Sequence, residues 1–235
     1  ITTSNGAGTL RANGGVIDTT AAITTSGAQI DVEASGNVTM SGNALLNSSS
    51  TGSSGTIRLV SGAAVTTTML SADAAITVTA AQGLTLNGTT TSKAGAVALT
   101  ANGGHVTVGG KVDSGTGTTT VTASQNIVQN ADVVSTGNAV TLTATAGTLT
   151  QGSATTTSGS TVTLSAQTGA VTGVLTATGA LSVTSATGNV TMAGAATSTN
   201  GNTAITATAG SVSLNAAVNG GTGTEIGRAS CRERV

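Results

Sequence analysis

The sequence contains no phenylalanine, tryptophan, tyrosine or proline in 235 residues, only one cysteine and one histidine, and 6% charged side chains. Each absence excludes something. Without aromatic rings the chain lacks the volume to fill the wide core of an ordinary globular domain, so its core must be narrow and built from Val, Ile, Leu, Ala and Met. Missing aromatics and sparse basic residues also argue against a nucleic-acid partner. No run approaches the 18 apolar residues of a membrane-spanning helix. The first residue is Ile1, and no basic segment followed by an apolar one marks a signal peptide. Lack of cysteine from residues 1–224 fits an exported protein that must not crosslink in an oxidising compartment.

What the chain does contain is a period. Blocks in which aliphatic residues alternate with Thr or Ser close on a small residue at Ala12, Ala34, Ser61, Ala80, Ala101, Ala123, Ala144, Ala166, Ser185 and Ala207. Successive spacings are 22, 27, 19, 21, 22, 21, 22, 19 and 22. The outlier of 27 coincides with a Ser/Gly tract at residues 47–55, read as an insertion that bulges from the repeat. A period of this length means stacked structural units.

A second aliphatic position follows each closing residue by four or five: Val16, Val38, Val65, Leu84, Val106, Ile127, Leu149, Val171, Val190 and Val212. These residues are expected to form one buried column. Alternation of period two, as in Thr161-Val162-Thr163-Leu164-Ser165, is a strand signal with one row inward and the next outward. A weaker third segment appears as Lys111-Val112-Asp113-Ser114, Asp132-Val133-Val134-Ser135 and Ala217-Val218-Asn219. The expected fold is therefore all-β: a β-solenoid of about ten coils of 21–22 residues, each with three short strands. No stretch holds a 3.6-residue apolar period, and Gly, Ser, Thr and Val dominate, so helix is not expected. In-register aliphatic positions separate the chain from a disordered linker. A lone coil buries too few side chains to offset the entropy of ordering its backbone, so the coils must stack to fold.

Residues 225–235 break the composition. They hold three of the seven Lys and Arg residues and the cysteine, Cys231. They also look like the in-frame translation of a common short-read sequencing adapter, so they are read as an artefact outside the solenoid of 1–224. The remaining body has four basic and six acidic residues, a net charge of 4 − 6 = −2.

Three stretches carry a resemblance: Gly36-Asn37-Val38-Thr39-Met40-Ser41-Gly42, Gly188-Asn189-Val190-Thr191-Met192-Ala193-Gly194 and Gly210-Ser211-Val212-Ser213-Leu214-Asn215. Over about residues 8–220 the chain resembles the repeat region of filamentous-haemagglutinin-type exoproteins, large bacterial adhesins exported by two-partner secretion or as autotransporter passengers. The resemblance implies a right-handed parallel β-helix that is secreted or held at the bacterial cell surface as a stalk or adhesive shaft. Its implied partners are a host or cell-surface receptor and an outer-membrane transporter during export. The family's N-terminal secretion domain has no counterpart in these residues.

Chemistry-bearing residues are few. His105 lies beside inward Val106 and Val108 and is expected to point to solvent; with no second His or close carboxylate pair around it, no metal site or general base is assigned. Asp31 and Glu33 share a strand face and are read as solvated, with a weak cation site as the minor alternative. Asp113 and Asp132 are isolated, and the Gly-Gly-x-Gly-x-Asp repeat of calcium-binding solenoids is absent. Gly103-Gly104 and Gly109-Gly110 are turn glycines, since no helix follows to make a phosphate cradle. Asn37, Asn47, Asn87 and Asn189 match the Asn-x-Ser/Thr pattern, which a Thr-rich chain generates by chance. No catalytic, cofactor or metal residue is assigned, and the expected role is a structural shaft without catalysis. Two alternatives come from other classes. A polysaccharide-lyase-like β-helix would need clustered Asp, Lys and Arg with aromatics for sugar stacking. An ice-binding solenoid would need aligned Thr pairs; Thr89-Thr90-Thr91 and Thr155-Thr156-Thr157 suggest them on the third segment, where Lys111-Val112-Asp113 and Asp132-Val133-Val134 interrupt the array.

Overall fold

Alternating β-branched and small residues fold into three parallel sheets that run the length of a solenoid. The computed structural model describes residues 2–3, 6–50 and 54–229, and no helix occurs among them. Each coil lays down one strand per sheet in the same order. In one central coil these are Val97–Ala101 in the first sheet, Val106–Val108 in the second and Val112–Asp113 in the third. Among the described residues the first and third sheets have 11 strands and the second has 10. Strand neighbours are always one coil apart, so the backbone hydrogen bonds of the sheets run along the rod axis.

Register is uniform in the first sheet. Ala12, Ala34, Ser61, Ala80, Ala101, Ala123, Ala144, Ala166, Ser185 and Ala207 are successive Cα partners, as the period predicts. Burial alternates within each strand. In Val97–Ala101 the side chains of Val97, Leu99 and Ala101 point in, and Ala98 and Thr100 point out. Inward aliphatics from all three sheets merge into one core from Ile17 to Ala207.

The second sheet corrects two assignments. Val16 is 62% exposed, and Ile17 takes the inward place opposite Val38. Val171 is 38% exposed, and Ala170 stands in the column between Leu149 and Val190. Pairing with the coils on either side places Ala170 and Thr172 inward and Val171 outward. Leu84, Val106, Ile127, Leu149 and Val190 are buried as expected; Val212, in the last complete coil, is only partly buried.

The insertion is narrower than residues 47–55. Asn47 pairs with Ser71, Ser48 donates its N–H to the Ser71 carbonyl, and Ser50 donates its N–H to Asp73 Oδ2 at 2.6 Å. Gly55 accepts from the Ala74 N–H, so both flanks belong to the wall. Residues 51–53 lie outside the described residues. At the other end Glu225–Ala229 pairs in parallel with Thr203–Ala207 as the last strand of the first sheet. These bonds are main-chain, and an open sheet edge accepts any extended segment. Cys231 lies outside the described residues.

Candidate functional site

Turns and corners use up most side-chain polarity. Ser92, Ser114, Ser135 and Ser198, at the end of third-sheet strands, donate their hydroxyls to carbonyls three residues on or in the coil beneath, at 2.6–2.9 Å. Asn37, Asn126, Asn189 and Asn202 each accept a backbone N–H from the next coil at 2.9–3.1 Å. The two asparagines of this set that match the glycosylation pattern, Asn37 and Asn189, thus serve as bridges between coils.

His105 occupies the same corner position as Asn126. Its Nδ1 accepts the Asn126 N–H at 3.2 Å, which assigns the imidazole the bridging task of the neighbouring asparagines. Asp31 and Glu33 lie outward on the first sheet, as expected, beside two arginines from adjacent coils. Arg58 Nη1 is 2.7 Å from Asp31 Oδ1 and 3.6 Å from Glu33 Oε2, and Arg11 Nη2 is 2.9 Å from Glu33 Oε2. The hydrogen bond to Asp31 leads the influences that raise the Arg58 pKa. A carboxylate pair held between two guanidiniums is a poor cation ligand.

Asp113 bonds Lys111 Nζ at 2.8 Å and accepts the Gly115 N–H at 2.9 Å. Burial pushes its carboxyl up, but the Lys111 hydrogen bond, the Gly115 N–H and the Lys111 charge together hold it below the ordinary carboxylate value. Asp132 accepts the Thr156 N–H at 2.8 Å, another bridge between coils. Asp73 is nearly buried, 2.5 Å from Lys93 Nζ. Among the described residues no three His, Cys, Asp or Glu side chains gather as a metal set. Among the described residues no helix is long and apolar enough to cross a membrane.

Two arrangements were missed. Inside the core, Gln151 Nε2 donates to Gln129 Oε1 at 2.6 Å and to Thr157 Oγ1 at 2.7 Å, Thr157 Oγ1 donates to Gln129 Oε1 at 3.1 Å, and Gly173 N–H donates to Gln151 Oε1 at 3.0 Å. All three side chains are buried. The signal was available, since Gln129 and Gln151 follow inward Ile127 and Leu149 by two. Outside, the first sheet carries two columns of threonine. From Ile76–Ala80 to Thr203–Ala207 the outward pairs are Thr77/Thr79, Ala98/Thr100, Thr120/Thr122, Thr141/Thr143, Thr163/Ser165, Ser182/Thr184 and Ala204/Thr206. On the third segment, where the ice-binding alternative would have placed its Thr pairs, Thr90 and Thr157 are buried in the core.

No protein-family model matches the chain, and comparison with curated proteins and with solved structures returned no significant match.

Proposed function

We propose that this chain is a length of the shaft of a large secreted bacterial adhesin, a passive support for attachment at the cell surface rather than a catalyst. The observation that carries the reading is the unbroken register of the first sheet, in which ten closing residues stack coil on coil. Such a stack lengthens by one strand spacing, about 4.7 to 4.9 Å, for each added coil. Reach therefore scales with repeat number at constant width, which suits a stalk. The resemblance of the Gly-Asn-Val-Thr-Met and Gly-Ser-Val-Ser-Leu segments to filamentous-haemagglutinin repeats supports the same reading. On this reading the receptor is bound by other parts of the parent protein, and the chain crosses the outer membrane through a dedicated transporter.

The test is made in the source organism. Antibodies raised against residues 6–224 should label intact cells, and deleting the gene should reduce attachment to surfaces. Labelling only after lysis, or attachment unchanged by the deletion, contradicts the proposal.

A further inference from the structure

The threonine columns have a property that a supporting wall does not require. Corner serines spend their hydroxyls on carbonyls, yet among the described residues the hydroxyls of Thr77, Thr122, Thr143 and Thr184 and their column neighbours make no hydrogen bond to the chain. Twelve of the fourteen outward positions on these seven strands bear a hydroxyl, the exceptions being Ala98 and Ala204. The strand register aligns them into a grid. Along the rod the repeat is about 4.7 to 4.9 Å, and across a strand it is twice the residue rise, about 6.6 Å. Threonine is stiff at χ1, so hydroxyl and methyl are presented in fixed positions with little rotamer entropy left to lose.

Charge is sorted on the same face. Arg11, Asp31, Glu33 and Arg58 occupy the three N-terminal strands, and the seven strands that follow carry no outward charge. We propose that this neutral hydroxyl and methyl grid, from Thr77 to Thr206, binds ice. The occupant follows from the chemistry of the face. A phosphate or any other charged partner finds no counter-charge there. A sugar polymer finds no aromatic ring to stack on anywhere in the chain. A protein partner finds none of the buried aromatic or arginine anchors that dominate interfaces. An uncharged lattice of water oxygens, whose surface repeat is of the same order as the grid, meets a hydroxyl at nearly every position, with methyl groups in the gaps. Individually weak contacts add up when many engage at once on a rigid support. This inference is independent of the shaft reading and stands or falls separately.

The test uses the full chain with ice as the probe, by nanolitre osmometry and by freezing fluorescently labelled protein into a single ice crystal. The chain should facet growing crystals, show thermal hysteresis and enter the ice. Thr122→Lys with Thr143→Lys, at the centre of the grid, should abolish all three effects, while Thr107→Lys on the second sheet should leave them unchanged. Strand circular dichroism and Tm of each variant establish that it is folded. The isosteric triple variant Thr122→Val, Thr143→Val, Thr184→Val keeps the fold, removes three of the seven hydroxyls of one column, and should lose most of the hysteresis. Unfaceted crystals with the unaltered chain, full activity in either face variant, or binding to cellulose or chitin in place of ice overturns the proposal.

Discussion

Gln129 and Gln151 follow Leu86 and Val108 in a core column that is otherwise free of long polar side chains. A buried amide is tolerated only when its groups are paired, and here each glutamine holds the other. Gln151→Leu is therefore expected to cost about 1 to 3 kcal/mol in denaturant unfolding, because the Gly173 N–H loses its acceptor while Gln129 Oε1 and Thr157 Oγ1 keep only each other. Adding Gln129→Leu should cost less than its single effect, and a double-mutant cycle with additive effects would refute the network. Asp113 gives a pH prediction. Its folded pKa is depressed, so its contribution to stability is full above the unfolded value of about 3.9 and is lost as pH falls through the lower folded value. With Lys111 half exposed, the contribution is under about 1 kcal/mol. Asp113→Asn, which keeps an acceptor for the Gly115 N–H, should flatten this part of the acid limb in urea titrations. An acid limb identical in the two proteins would contradict the assignment.

At the scale of the element, alternation reads the strands directly but does not read their phase at corners. Both four and five residues separate a closing residue from the next inward one, so Val16 and Val171 look as suitable as Ile17 and Ala170. Pairing with the neighbouring coils shows the phase, and a linear sequence does not display that pairing. Gly110 shows how closely the coils approach: an added Cβ would lie 2.1 Å from the Gly88 carbonyl oxygen, and a Cβ on Gly88 would lie 2.2 Å from the Thr68 carbonyl oxygen. Backbone atoms cannot yield as a side-chain tip does. Gly110→Ala is expected to destabilise the chain by more than 2 kcal/mol, against less than about 0.5 for the outward Thr107→Ala, since surface changes away from such features are mild. Equal unfolding midpoints for the two variants would show that the coils do not approach so closely. The outward threonines were legible as alternation from the start. Their alignment into a grid was not, because it depends on matching register across seven coils rather than on any one motif.

At the scale of the molecule, a narrow core without aromatics is workable because each coil is both roof and floor to its neighbours, and the sheet bonds stay saturated along the axis. The repeat spacing predicted this stacking, and the register of the first sheet continues across the Ser/Gly tract. The chemistry of the rod's faces follows from which residues the stacking leaves outward. The central claim is the constant rise per coil. Spin labels on a Cys231→Ser background, at Thr79 paired in turn with Ser165, Thr184 or Thr206, span four, five and six strand steps in the first sheet. Double electron–electron resonance should give three narrow distance distributions whose centres climb by about 4.8 Å per step. Broad distributions, or distances that fail to climb with coil number, would contradict the solenoid.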